Sequence, residues 1–299
     1  MPKVEITNPD KILFPKDKYT KLDLINYYKK IAPKMLPLIK DRPITMFRFP
    51  NGINKDGFVQ KNVSDYFPSW IKTKAIKRQS KENIRMLVCN DKDTLMYLAN
   101  QACLSPHIWL SKKDKLNNPD RLIFDLDPPK KNNMGLVKEG AKALRQLLEK
   151  ELGFKVYLMT TGSKGLHLVI PLKRDSDFAT VRSFARKVAN LIAERDPKKF
   201  TTETRLEKRR GRLFIDYLRN AYAQTGVAPY GVRALNGAPV ATPIDWSELF
   251  SAGFHPQKFN IKNIFQRRKN PWSGIDSHGA SISKASKKLE KLLAEEEAS

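Results

Sequence analysis

Residues 121–127, Arg-Leu-Ile-Phe-Asp-Leu-Asp, restrict the possible folds more than any other stretch of the chain. An apolar run of this length closed by Pro128-Pro129 reads as a strand, and alternation sends Leu122, Phe124 and Leu126 to one face and Asp125 and Asp127 to the other. The sheet must then bury one face of this strand while holding two like charges together on the opposite face. Two carboxylates so placed repel unless a cation lies between them, and hard oxygen ligands of this kind suit Mg²⁺ or Mn²⁺. The alternative is a pair of solvated acids at a strand end, since an Asp-x-Asp pattern alone is a weak signal. A third carboxylate, Asp216, sits inside the apolar run Leu213-Phe214-Ile215-Asp216-Tyr217-Leu218, where an unpaired charge is costly. A salt bridge to a nearby arginine is one way to relieve it. A two-metal centre shared by three strand-borne aspartates is the other, with one ion activating an attacking oxygen and the second steadying a leaving group.

Around these strands the pattern is irregular. Thr20 starts a helix striped by Leu24, Tyr27, Tyr28 and Ile31, which Pro33 is expected to end, and residues 93–104 form a second helix. Val137, Ala141, Leu144 and Leu148 mark a third, ending near Gly153. Phe154, Val156 and Leu158 alternate as a strand, the turn Gly162-Ser163-Lys164-Gly165 follows, and Leu166–Ile170 returns as its hairpin partner. Ser176 is placed as the cap of a helix carrying Val181, Phe184, Ala185, Val188 and Ile192, and 212–218 is the last clear strand. Helices and strands that alternate irregularly, with a hairpin among them, place the chain in the α+β class. Residues 284–299 have lysines at the N-terminal end and Glu295, Glu296 and Glu297 at the C-terminal end. That order opposes the helix dipole, so a frayed helical tail is expected there, after a single domain over 1–283.

Charge narrows the partners. The chain has 299 residues, with 56 Lys plus Arg against 31 Asp plus Glu, a net charge of +25. Such an excess spread along a chain that is 40% hydrophobic points to a folded protein that binds a polyanion, nucleic acid being the commonest, the alternative being a generally basic surface with no such partner. No apolar run approaches the length of a membrane span, and the N-terminal residues MPKVEITNPDK have no apolar core of a secretory signal. Two cysteines, Cys89 and Cys103, without a Cys-x-x-Cys pair argue against a disulfide framework and a Cys-based zinc site. The expectation is a cytoplasmic, nucleoid-associated protein with no membrane partner.

Residues 161–168, Thr-Gly-Ser-Lys-Gly-Leu-His-Leu, add chemistry that suits a triphosphate. Glycines admit close backbone approach, and Ser163, Lys164 and His167 carry donors. This is not a Walker A loop, and a tight hairpin turn with an incidental histidine is the better account of the stretch in isolation. His107, in Pro106-His107-Ile108-Trp109, has the same status. Lys55-Asp56-Gly57 lacks the spacer of the nucleic-acid ligase signature.

Taken in order, DKILFP, PDRLIFDLDPP, TTGSKGLHLVIPL, GRLFIDYLRN and APYGVRALNGAPVATPIDW resemble the polymerase domain of bacterial DNA ligase D and its stand-alone relatives, within the archaeo-eukaryotic primase superfamily. The resemblance runs from about Asn8 to Trp272. It implies a bilobal primase-polymerase fold of two interleaved lobes, two packed β-sheets flanked by helices, with a central catalytic cleft. It implies template-directed addition of nucleotides, with ribonucleotides frequently preferred, to primer 3′-hydroxyls at gaps and double-strand-break ends. The acidic triad maps onto Asp125, Asp127 and Asp216, holding two Mn²⁺ or Mg²⁺ ions. The nucleoside triphosphate falls to Ser163, Lys164, His167, His107 and Arg233, with Arg209 or Arg210 close by. Lys11 and Lys21 correspond to the lysines that grip a downstream 5′-phosphate, and Phe58 to an aromatic that stacks on the template base. Val59 follows Phe58 where the family has a second aromatic, Gly231 replaces a serine, and Ser105-Pro106 replaces Glu-Leu before His107. Ku and an ATP-dependent DNA ligase are the implied partners. A primer-synthesising primase, a two-metal nuclease and a catalytically inactive DNA-end-binding module are the rival readings.

Overall fold

The computed structural model describes residues 4–77, 82–129 and 133–298. In chain order the elements are β1 (Ile12–Phe14), β2 (Tyr19–Thr20), α1 (Lys21–Ile39), β3 (Pro43–Arg48), β4 (Phe58–Gln60), β5 (Thr73–Ile76), β6 (Ile84–Val88), α2 (Lys92–Asn100) and β7 (Cys103–Trp109). Then come β8 (Arg121–Asp127), α3 (Met134–Arg145), β9 (Tyr157–Thr160), β10 (Leu166–Pro171), α4 (Phe178–Arg195), β11 (Phe200–Thr201) and β12 (Leu213–Asp216). The chain closes with β13 (Thr225–Val227), β14 (Pro243–Ile244), α5 (Trp246–Leu249) and α6 (Ile282–Glu297). Two sheets with their helices make this the α+β architecture expected. The chain divides into two compact units of three segments each. The first comprises Met1–Asp114, Thr225–Thr242 and Gln257–Asn270, and the second Lys115–Gln224, Pro243–Pro256 and Pro271–Ser299.

In the first unit the sheet runs β13-β7-β3-β6-β5, with β4 paired to β3. Helix α1 begins with a reciprocal cap, Thr20 Oγ1 accepting from Asp23 N while an Asp23 oxygen accepts from Thr20 N. It runs through Pro33 and Pro37 to Ile39, six residues past the proline expected to stop it. Both prolines lie on the exposed face, as does Lys29, so the carbonyls deprived of a donor face water instead of the core. Tyr28 anchors the helix from the buried side, its hydroxyl donating to Leu104 O at 2.6 Å. The second helix also departs from expectation. It stops at Asn100, the chain turns through Ala102 at φ +53°, and Cys103 opens β7 instead of continuing the helix.

The second unit is built on the sheet β11-β12-β8-β10-β9-β14, in which β8 lies between β12 and β10. Leu122, Phe124 and Leu126 are fully buried, and α3 packs on their side of the sheet. Gly140 makes that packing possible, since a Cβ there would lie 2.3 Å from the Leu213 side chain. Asp177, one residue beyond the Ser176 expected, caps α4 by accepting from Thr180 N at 2.9 Å. Residues 284–298 lie mainly in α6, which starts earlier, at Ile282, and buries Ile282, Ala285 and Leu289. Its acidic end meets Arg195, which donates to Glu296. No helix among the described residues is long and apolar enough to cross a membrane.

Candidate metal and nucleotide site

Register decides which of the chemistry-bearing residues meet. Within the second unit Asp125 is directly opposite Asp216 on one neighbouring strand and His167 on the other, so the three side chains form a row across β12, β8 and β10. Asp127 lies two residues along the same face. One carboxylate oxygen from each of Asp125, Asp127 and Asp216 lies within 4.8 Å of the others. His167, whose facing the alternation pattern leaves undecided, is turned toward the carboxylates. Its Nε2 is 3.4 Å from Asp125 Oδ2, and the residue is 2% exposed.

Two residues outside the predicted site complete it. Arg219 donates from Nε to Asp125 Oδ2 at 2.8 Å. It is placed by the loop after β12, which Asp216 and Asn220 shape together. Asp216 Oδ1 accepts from Leu218 N at 2.7 Å. Asn220, fully buried, bonds to both backbone groups of Ile123, accepting from N at 2.8 Å and donating to O at 2.7 Å. Its amide thus continues the ladder that β12 leaves off, and the loop is tied to β8 beside the carboxylates. Both residues belong to the motif GRLFIDYLRN, but a loop arginine and asparagine carry no periodicity that would mark them.

The electrostatics of the three acids diverge. Burial works to raise the Asp125 carboxyl, but His167 and Arg219 overcome it and hold the group well below the usual range. Asp127 is pushed up to about 6, first by burial and then by Asp125 and Asp216. Asp216 is also raised, by burial and the Asp125 charge against the bond from Leu218 N. Asp125 Oδ1 is buried and has no hydrogen-bond partner among the described residues. A buried, ionised, half-unsatisfied carboxylate flanked by two acids that resist ionisation is a donor set that a divalent cation completes, so these residues fit the implied metal.

The turn 161–165 borders this face. Thr161 Oγ1 accepts from the backbone N–H of Ser163 and Gly165, at 3.3 and 3.1 Å, and so sets the loop. Gly165 is obligatory there, because a Cβ would lie 2.3 Å from Leu126 O. Ser163 is half-buried and Lys164 exposed. Between the two candidate arginines, Arg209 is the one directed to the site. Its guanidinium lies 3.9 Å from the ring centroid of Phe214, the residue opposite Asp127, and it acts to lower Asp127 and Asp216. Arg210 is exposed and occupies the left-handed turn at φ +51°.

The remaining predicted residues belong to the first unit. His107 stacks on Phe47 with centroids 4.1 Å apart. Ser105, a departure from the family pattern, donates to Val232 O, and Ala228 N donates to Pro106 O at 2.9 Å. The strand of His107 is therefore stitched to the 228–233 turn that carries Arg233. Lys11 and Lys21 come together near the start of α1, joined by Lys21 N to Lys11 O at 2.8 Å. Lys11 Nζ donates to Asn51 Oδ1 at 3.0 Å and Lys21 Nζ to Thr7 Oγ1 at 3.1 Å, neutral acceptors in both cases. Burial and then the Lys11 charge lower the Lys21 pKa. Phe58 is 48% exposed on β4, with the Arg48 guanidinium 5.2 Å from its ring centroid.

Comparison with known proteins places the chain in a family. The sequence model of the family described as LigD, primase-polymerase domain, matches residues 20–272. The bifunctional non-homologous end joining protein LigD of Bacillus subtilis is 34% identical over 269 residues, covering 90% of this chain and 43% of that protein. The multifunctional non-homologous end joining protein LigD of Mycolicibacterium smegmatis is 34% identical over 249 residues, covering 83% of this chain and 32% of that protein. The chain therefore spans less than half the length of either relative. A solved polymerase domain from Mycobacterium tuberculosis ligase D, in complex with DNA, matches with a TM-score of 0.86 and 29% identity over 93% of this chain and 100% of that one. A family match across most of the chain, together with a fold shared with that polymerase domain, establishes that this chain belongs to the LigD primase-polymerase domain family.

Proposed function

We propose that the chain is a template-directed nucleotidyltransferase of bacterial-type non-homologous end joining, adding nucleotides to primer 3′-hydroxyls at gaps and breaks. The observation that carries this reading is the row Asp216–Asp125–His167 with Asp127 beside it, holding a buried carboxylate oxygen unsatisfied. Asp125, Asp127 and Asp216 would hold two divalent cations, Mn²⁺ or Mg²⁺. Such ions, when bound, supply Lewis-acid activation of the attacking oxygen and charge neutralisation at the phosphates. Arg219 and His167 keep Asp125 ionised, so it would be a ready ligand, and a cation held among the three carboxylates would offset the repulsion from Asp125 and Asp216 that helps raise Asp127. Ser163 and Lys164, on a turn locked by Thr161, would bind the triphosphate of the incoming nucleotide together with His167 and Arg209, and the family resemblance assigns His107 and Arg233 to the nucleotide as well. Lys11 and Lys21 present two ammonium groups to an external anion, in this reading a 5′-phosphate across the gap. Phe58 offers a ring face to a template base. Ribonucleotide preference, and cooperation with Ku and an ATP-dependent ligase, belong to the same proposal.

The test is primer extension on a short gapped duplex bearing a 5′-phosphate, with ribo- and deoxyribonucleotides, in Mn²⁺ and in Mg²⁺. Template-matched addition that disappears in Asp125→Ala/Asp127→Ala supports the reading. DNA binding without extension under every metal and nucleotide refutes it, and synthesis that needs no primer moves the assignment to a primase.

A further inference from the structure

One strongly basic region of the first unit has no part in the site described above. Residues 257–270, Gln-Lys-Phe-Asn-Ile-Lys-Asn-Ile-Phe-Gln-Arg-Arg-Lys-Asn, contain five cations and no carboxylate. The segment lies along α1 as a strap. Ile261 and Ile264 are buried beneath it, and Val240 N donates to Phe259 O at 2.9 Å. Its residues meet one face of the helix in order. Lys262 Nζ is 3.4 Å from Asp23, Phe265 packs on Tyr27 with centroids 5.8 Å apart, and Lys34 Nζ donates to Arg267 O at 2.8 Å. Asp23, Tyr27, Lys30 and Lys34 are spaced i, i+4, i+7 and i+11, which is a single helical face.

The cations here are positioned in an unusual way. Lys30 Nζ lies 4.2 Å from the Phe265 centroid, the Arg267 guanidinium 4.6 Å from that of Phe259, and Lys262 Nζ 5.0 Å from that of Tyr19. The ring face of Phe265 orients Lys30 without cancelling its charge, whereas Lys262 is bonded to the Asp23 carboxylate as well as facing Tyr19. Asp23, at one end of the strip, is the single acid on this helical face. Lys30, Lys262 and Arg268 are all exposed. From Asp23 to Lys34 the helix rises about 17 Å at about 1.5 Å per residue. That length spans about five base-pair steps along a duplex axis at about 3.4 Å each. The strip also begins at the first turn of α1, the turn that carries Lys21.

We propose that this strap and the outer face of α1 form a docking surface for the sugar-phosphate backbone of duplex DNA downstream of the gap, continuing from the 5′-phosphate held at Lys11 and Lys21. The proposal rests on the function argued above for that lysine pair. Its partner is identified by charge alone. Exposed cations on the strap and on α1, with Asp23 the single acid of that helical face, suit a regular polyanion, and backbone contact carries no demand for sequence.

The experiment uses the full chain and measures binding by fluorescence anisotropy over a salt series. The substrates are gapped duplexes whose downstream arm, 5′-phosphorylated, grows from about four to about twelve base pairs while the upstream arm stays constant. In the parent protein affinity should rise as the arm lengthens to about five or six base pairs and then level off. Lys30→Gln/Lys262→Gln/Arg268→Gln should abolish that rise and flatten the slope of log K against log salt by roughly 2 to 3, at about 0.9 per lost phosphate contact. A substrate lacking any downstream strand should bind both proteins equally. Retention of the length dependence by the triple variant overturns the proposal, and so does an equal loss on substrates with and without a downstream arm. Binding is read without nucleotide or metal, so a protein that proves unable to extend a primer would sink the polymerase reading and leave this comparison intact.

Discussion

The two like-charge clusters of this protein differ in how they are held. In the second unit three carboxylates converge on adjacent strands of a sheet, desolvated, with Arg219 bonded directly to Asp125. In the first, Lys11 and Lys21 meet where a loop joins a helix start, and their ammonium groups bond to an asparagine and a threonine. The acids are locked by strand register, so each has its own neighbours and its own proton affinity. The lysines keep exposed or polar surroundings on at least one side, since Lys11 is exposed while Lys21 is buried. A cluster built into a sheet can tune individual groups, and a cluster at a loop can only offer charge. Substitutions in the first should therefore have large and residue-specific effects, and those in the second small and nearly additive ones.

The largest effect expected is on turnover. Asp125→Ala or Asp127→Ala should lower the rate of primer extension by about a thousandfold or more, roughly 4 kcal/mol of transition-state stabilisation, while DNA affinity stays within about threefold. Single-turnover kinetics beside anisotropy would measure both, and a variant with near-normal extension would remove the triad from the chemistry. Next comes the scaffold of the acidic row. Asn220→Ala strands both backbone groups of Ile123 in a buried setting and should cost about 2 to 3 kcal/mol in urea unfolding. A loss under about 0.5 kcal/mol would mean that the loop carrying Arg219 is positioned by something other than that amide.

A third test sharpens the claim that the sheet tunes its acids separately. Asp127 is raised to about 6, so the metal-free folded protein binds its proton more tightly than the unfolded chain does. The stability this provides is complete below about pH 4 and is lost as pH rises through about 6. Asp127→Asn, which cannot ionise, should therefore exceed the parent in stability by about 1 to 3 kcal/mol near pH 7.5 in chelator, with the gap closing toward about pH 4. Asp125 runs the other way, because its lowered carboxyl gives stability that is present at neutral pH and lost on acidification. Asp127→Asn melting below the parent at neutral pH would contradict the distinction drawn between the two acids. The smallest effect belongs to the lysines. Lys11→Glu/Lys21→Glu should erase a preference for 5′-phosphorylated gaps of about tenfold or less, roughly 1.4 kcal/mol, and leave extension of an ungapped primer-template unchanged. A preference that survives the double reversal would assign the phosphate to other groups.

Much of the acidic site is legible in the sequence alone. Period-two alternation is enough to put Asp125 and Asp127 on one face and to bury Leu122, Phe124 and Leu126 on the other, and β8 spans the residues expected. The ends of helices are less legible. Pro33 carries a strong local stop signal, but the signal assumes a carbonyl that cannot reach water, and α1 turns its prolines outward. Residues 101–104 could extend a helix by composition; the sheet of the first unit takes Cys103 and Leu104 as β7 because strand pairing with β3 outweighs a weak helical preference. Arg219 and Asn220 are invisible as site residues in the sequence, since a side chain that imitates backbone pairing leaves no pattern in its neighbours.

By itself the sequence determined the ingredients: which strands are half-apolar, which turn needs glycine, how much positive charge is carried along the chain, and an ordered set of motifs specific enough to name a family. Those are local properties, set by side-chain alternation, backbone sterics and composition. Only the tertiary structure decided that β8 lies between β12 and β10, and with it that Asp216 and His167 both face Asp125. Strand order depends on which apolar faces can be covered at once across the whole unit, a global packing condition that no seven-residue window contains. The proton affinities of the three acids follow from that order, because burial and neighbouring charge exist only once the strands are paired.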